Sequence, residues 1–80
     1  MSGKYPLLTP SEVEKILKQA GFSLKRTSGS HNQWEGIIKG ERRLVTVDQL
    51  SRSSETFGRR LMNLVIRQSG LTKKEFYSYR

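Results

Sequence analysis

Eighty residues with 34% hydrophobic content, two prolines and seven glycines make one small globular domain, 1–80, and leave no room for a second. There is no cysteine and only one histidine, so disulfides and thiolate metal sites are excluded, an all-protein zinc centre lacks ligands, and no metal or cofactor is implied. Fifteen Lys and Arg against seven Asp and Glu give a formal charge of +8, which suits a polyanion, with nucleic acid first in line. No apolar signal core opens the chain and nowhere do about 18 apolar residues run together, so the expected location is the cytoplasm, with no membrane partner.

Met1 to Pro6 reads as a loose lead-in. The first helix begins with a capping box, Thr9 as N-cap, Pro10 as first helical residue and Glu12 as reciprocal partner, with Leu8 and Val13 as hydrophobic staple. Val13, Ile16, Leu17 and Ala20 recur at helical spacing, which leaves Glu12, Glu14, Lys15 and Lys18 to water. Gly21 supplies the left-handed residue that ends the helix, and Phe22 the hydrophobic contact after it. Phe22 to Thr27 then alternates as a strand with Phe22 and Leu24 inward. Ser28 to Ser30 turn the chain into a second strand, Asn32 to Ile38, where Trp34, Gly36 and Ile38 oppose Gln33, Glu35 and Ile37. Trp34 beside Ile38 reads as core rather than as a base-stacking platform.

Lys39-Gly40-Glu41 is a hairpin turn leading to a third strand, Arg42 to Val47. A polar connection, Asp48 to Ser54, precedes a helix expected to start near Ser53 to Thr56. Phe57, Leu61, Leu64 and Val65 form its apolar face, widened by Met62 and Ile66, and Gly70 closes it. Leu71 to Phe76 repeats the opening device, with Thr72 as cap, Glu75 completing the box and Leu71 stapled to Phe76. A short terminal helix follows, with Tyr77 and Tyr79 packing or stacking. The fold class is therefore α+β. Three strands in an antiparallel meander carry helices on one face, in the α-β-β-β-α order of a double-stranded-RNA-binding-like domain. Val13, Ile16, Leu17, Phe22, Leu24, Trp34, Leu64 and Val65 are the expected core.

The candidate chemistry lies at Gly29-Ser30-His31. Histidine is the side chain whose unperturbed pKa lets it exchange protons near neutrality, and a loop at the mouth of a strand presents it to substrate. On spacing alone His31 fits a solvated surface residue as well as a catalytic one. Lys25, Arg26, Arg42, Arg43, Arg59 and Arg60 are the candidate RNA-binding cations.

Ile16 to Phe22, then Gly29-Ser30-His31 on entering the second strand, then Arg67 to Thr72 before Glu75-Phe76, resemble the HicA toxins of HicA/HicB toxin-antitoxin pairs. The resemblance covers nearly the whole chain. It implies a small metal-independent endoribonuclease that cleaves mRNA, with His31 as its catalytic residue, and an acidic HicB-like antitoxin partner. Two stretches depart from that family's pattern. Thr46 to Leu50 lacks the further histidine or lysine-rich run often found after the third strand, and Glu55 to Arg60 differs from the usual Gly-Thr-Leu opening of the second helix.

RNA carries its own nucleophile in the 2′-hydroxyl beside each phosphate. On this reading His31 acts as general base on that hydroxyl or as the acid that protonates the leaving 5′-oxygen. Ser30, counted with it as catalytic, and Lys25 or Arg26 are candidates to donate to the phosphoryl oxygens. Two other classes compete: a non-catalytic module that holds double-stranded RNA by shape and phosphate contacts, and an adaptor for an acidic protein, which leaves Gly-Ser-His unexplained.

Overall fold

The computed structural model describes residues 5–49 and 55–80. Its elements run α1 (Pro10–Gln19), β1 (Ser23–Ser28), β2 (His31–Ile38), β3 (Glu41–Asp48), α2 (Arg59–Ser69) and α3 (Lys73–Ser78). The strands form an antiparallel sheet in the order β1-β2-β3. One sheet face, carrying Trp34, Ile38, Val45 and Val47, packs with the apolar stripes of α1 and α2. The result is the expected α+β arrangement of double-stranded-RNA-binding type.

Local chemistry explains most of the boundaries. The Glu12 N–H donates to Thr9 Oγ1 at 3.2 Å and the Thr9 N–H to Glu12 Oε1 at 2.9 Å, so α1 opens on both halves of its capping box. Leu8 and Val13 are fully buried beside it. At the other end Gly21 takes φ +103, and the Phe22 N–H reaches back to the Leu17 carbonyl at 2.8 Å. That reversal drops the Phe22 ring into the core, where an ideal Cβ on Gly36 would come within 2.8 Å of it. Glycine at 36 is thus a packing requirement of β2. The two hairpins have two-residue loops. Gly29 takes φ +60 in the first, and Lys39 and Gly40 take φ +54 and +82 in the second, the left-handed pair that a type I′ turn needs.

Strand limits shift by a residue in ways that matter. β1 starts at Ser23, one residue after Phe22, while β2 and β3 extend to His31 and Asp48. His31 is therefore the first residue of a strand, held in register with Ser28 on one side and Asp48 on the other.

Three expectations are corrected. Leu24, expected in the core, is 49% exposed. It pairs with Trp34 on the helix side, but β1 is an edge strand whose residues are all exposed, and its register breaks between Leu24 and Arg26. Leu64 is 44% exposed, because the buried stripe of α2 is Met62, Val65, Ile66 and Ser69 and Leu64 falls a residue off it. The helix itself begins later than expected, with Gly58 as N-cap. The cause lies in Phe57, whose N–H donates to the Leu8 carbonyl at 2.9 Å and whose ring is buried, so it enters the core from extended chain ahead of the first turn. Residues 50–54 of the connection, with Ser53 among the expected caps, lie outside the described residues, as do residues 1–4 of the lead-in.

The last helix forms as its sequence dictates. Thr72 and Glu75 make both capping-box bonds, and Lys39 adds an ion pair to Glu75 at 2.9 Å, tying the β2–β3 turn to α3. Tyr77 stacks on Tyr5 with ring centroids 4.7 Å apart and donates its hydroxyl to the Pro6 carbonyl at 2.6 Å.

Candidate active site

Opposite the helices, the sheet presents a face open to solvent. Register places His31, Gln33, Glu35 and Ile37 of β2 on it, flanked by Asp48, Thr46, Leu44 and Arg42 of β3 and by Ser28 and Arg26 of β1. His31 stands at one end. Its side chain is 55% exposed, and its Nε2 lies 3.1 Å from Asp48 Oδ1. The Gln49 N–H donates to the Ser30 carbonyl at 2.7 Å, which makes His31 and Asp48 a non-hydrogen-bonded pair, the type whose side chains approach most closely across an antiparallel ladder. An imidazole held at Nε2 by a carboxylate keeps Nδ1 for a third party. A carboxylate at this position can orient the ring.

The other candidates are distributed less simply. Ser30 occupies the turn beside His31 and is exposed, with its carbonyl engaged by Gln49. Arg26 pairs with Gln33 on the open face, two positions along from the Ser28–His31 pair. Lys25 and Arg42 share that face but converge on Glu35, at 3.7 Å for Lys25 and in direct hydrogen bond for Arg42. The Arg42 hydrogen bond, with the charges of Arg42 and Lys25, holds the Glu35 carboxyl below its ordinary range. Arg43 points the other way. Register sets it opposite Gly36 on the helix side, where its guanidinium lies over Gly70 and pairs with Glu41 at 2.9 Å. Arg59 and Arg60 belong to the exposed side of α2, beside Asn63, Leu64 and Arg67. The six expected cations thus occupy three surfaces, and only Lys25, Arg26 and Arg42 share one with His31.

Two acidic residues emerge that sequence reasoning did not single out. Asp48, expected in a loop, is the strand residue beside His31. Glu14, expected to face water, turns instead to the sheet. Its Oε2 accepts from Asn32 Nδ2 at 2.8 Å, Trp34 Nε1 at 3.1 Å and Gln49 Nε2 at 3.2 Å. One clue was available, since an indole N–H inside a core needs an acceptor and Trp34 is 4% exposed. Nothing local in the chain says that Glu14 supplies it.

Among the described residues no group of three His, Asp or Glu side chains is placed to hold a metal ion, and no helix is long and apolar enough to cross a membrane. Compared with known proteins, residues 10–71 match the family described as the HicA toxin of bacterial toxin-antitoxin systems. No curated protein sequence matches the chain.

Proposed function

The chain belongs to the HicA toxin family of bacterial toxin-antitoxin systems, and from that membership we propose that it is an endoribonuclease that cleaves mRNA without a metal, using His31 as its proton-transfer group. The observation that carries this reading is the His31–Asp48 pair, an exposed imidazole gripped by a carboxylate on an open sheet face.

Of the two roles open to a single histidine, the carboxylate beside Nε2 supports that of general base. In this proposal Asp48, 3.1 Å from Nε2, orients the ring with Nε2–H toward itself, and the lone pair of Nδ1 acts as the general base. His31 takes the proton of a 2′-hydroxyl, the 2′-oxygen attacks the adjacent phosphorus, and the bond to the 5′-oxygen breaks as water protonates that oxygen. The products are a 2′,3′-cyclic phosphate and a 5′-hydroxyl end. Arg26, on the neighbouring strand β1 two positions along from the base, meets the negative charge that grows on the phosphoryl oxygens. Ser30, exposed in the turn beside His31, serves in this proposal as a further donor to the same oxygens. The partner in this reading is an acidic antitoxin that covers His31.

Incubation of single-stranded RNA with the wild type and His31→Ala in EDTA tests the proposal. General acid–base catalysis is worth about 10² to 10⁴ in rate, so His31→Ala should lose that much and keep its fold, with cyclic phosphate ends on the wild-type products. Equal cleavage by both proteins removes His31 from the mechanism. RNA that is bound and left intact by folded wild type points to the non-catalytic binding module instead.

A further inference from the structure

We infer that Glu14 is a positioning residue for the proton-transfer pair, a clip that reaches from α1 onto the helix-facing side of the sheet and holds His31 and Asp48, on the opposite face, in mutual register. The inference rests on the reading of His31 as the general base. Its ground is where the three donors on Glu14 Oε2 come from. Asn32 is the residue after His31 on β2, and Gln49 is the residue after Asp48 on β3. The third donor, Trp34, anchors the carboxylate to the core, and Asn32 Oδ1 in turn accepts from Thr27 Oγ1 of β1 at 3.0 Å. One oxygen of a helix side chain thereby gathers the ends of all three strands next to the site.

A clip is needed at this place. The β2–β3 ladder ends within a residue of the pair, with the Gln49 N–H bonded to the Ser30 carbonyl, and the last rungs of a sheet open most readily. An ion pair between two side chains as exposed as His31 and Asp48 does not hold itself in one geometry, because water screens it and two rotamers must be fixed. Bonds to an ionised carboxylate are stronger than neutral ones, and they restrain the backbone on both sides of the pair while leaving its exposed face free for substrate. Satisfying the indole alone would require one acceptor and no contact with Asn32 or Gln49.

The test compares wild type, Glu14→Gln and Glu14→Ala by imidazole nitrogen NMR, which reports the tautomer of His31, together with RNA cleavage in chelator. Expected are loss of the Nε2-protonated preference in Glu14→Ala, a fall in kcat of about tenfold or more with KM little changed, and an intermediate result for Glu14→Gln, which keeps one acceptor oxygen. In an Asp48→Asn background, Glu14→Ala should lower kcat no further, since both act through one geometry. Wild-type imidazole spectra in variants that only melt earlier overturn the inference, and so do fully additive losses. If Glu14→Ala does not fold, Glu14→Gln carries the comparison. Should His31→Ala cleave as well as wild type, the catalytic reading falls while the spectra still decide whether Glu14 sets the His31–Asp48 geometry.

Discussion

Asp48 and Gly36 show how much a single position can decide. On the proposed mechanism Asp48, 3.1 Å from His31 Nε2, gives the imidazole a preferred side, and its replacement by Asn keeps size and hydrogen bonding but lets the amide pair with either tautomer. Asp48→Asn is therefore expected to lower kcat by about 10- to 100-fold, since misplacing a reacting group by an ångström costs about that much, with thermal stability nearly unchanged because the pair is exposed. A wild-type kcat in Asp48→Asn would leave the imidazole without need of an orienting group. Gly36 answers to packing instead. A methyl there meets the Phe22 ring at 2.8 Å, so Gly36→Ala should destabilise by about 1–3 kcal/mol, as overpacked cores do, in denaturant unfolding.

Each helix is specified partly by its ends and partly by its buried stripe, and the two are unequally legible in sequence. The caps of α1 and α3 were readable because a capping box is a local contract between residues three apart, and both boxes form as read. The stripe of α2 departs from its sequence pattern at Leu64, which is 44% exposed. Helix α2 turns Met62, Val65, Ile66 and the small Ser69 to the sheet, and Ser69 gives no hydrophobic clue. Its hydroxyl donates to the Ile66 carbonyl at 2.6 Å, which makes its burial tolerable. Leu17→Ala should then cost about 2–5 kcal/mol, whereas Leu64→Ala should stay within about 0.5 kcal/mol of wild type. Equal losses in urea melts would restore Leu64 to the core. Glu14 and Asp48 are illegible for another reason: the partners of Glu14 lie 18 to 35 positions away and that of Asp48 lies 17 away, and only the packing of α1 on the sheet and the strand register bring them together. The boxes also set an acid limit. Backbone N–H donation from Thr9 and Thr72 lowers the carboxyls of Glu12 and Glu75, and Arg42 does so for Glu35. Folding thus favours the ionised forms, and their contribution is complete above about pH 4.5 and lost as pH falls through the lowered values. The melting temperature should fall below pH 4.5, less steeply in Glu75→Gln; parallel profiles for the two proteins would show that Glu75 has no part in it.

At the scale of the whole molecule, a charge of +8 says that a polyanion is attracted without saying where it lies. The fold divides that charge. Lys25 and Arg42 are partly spent on Glu35, Arg43 is turned to the helix side against Gly70, and Arg59, Arg60 and Arg67 project from α2. On the proposed function, a single RNA strand seated for attack at His31 would cross the open sheet face and meet Arg26 as the cation beside the base. Each phosphate neutralised on a single strand contributes about 0.7 to the slope of log K against log salt. Arg26→Ala should therefore flatten that slope by about this amount, and Arg60→Ala should leave it nearly unchanged. The same division bears on inhibition, because an acidic antitoxin drawn to the open face would cover His31 and Arg26 together and leave α2 free. Salt titrations of the two arginine variants, with protection of Arg26 and Arg60 measured in the antitoxin complex, examine both points. A slope that responds to Arg60 and ignores Arg26 would move the RNA track off the sheet and onto the exposed side of α2, and His31 would then lie away from the bound strand.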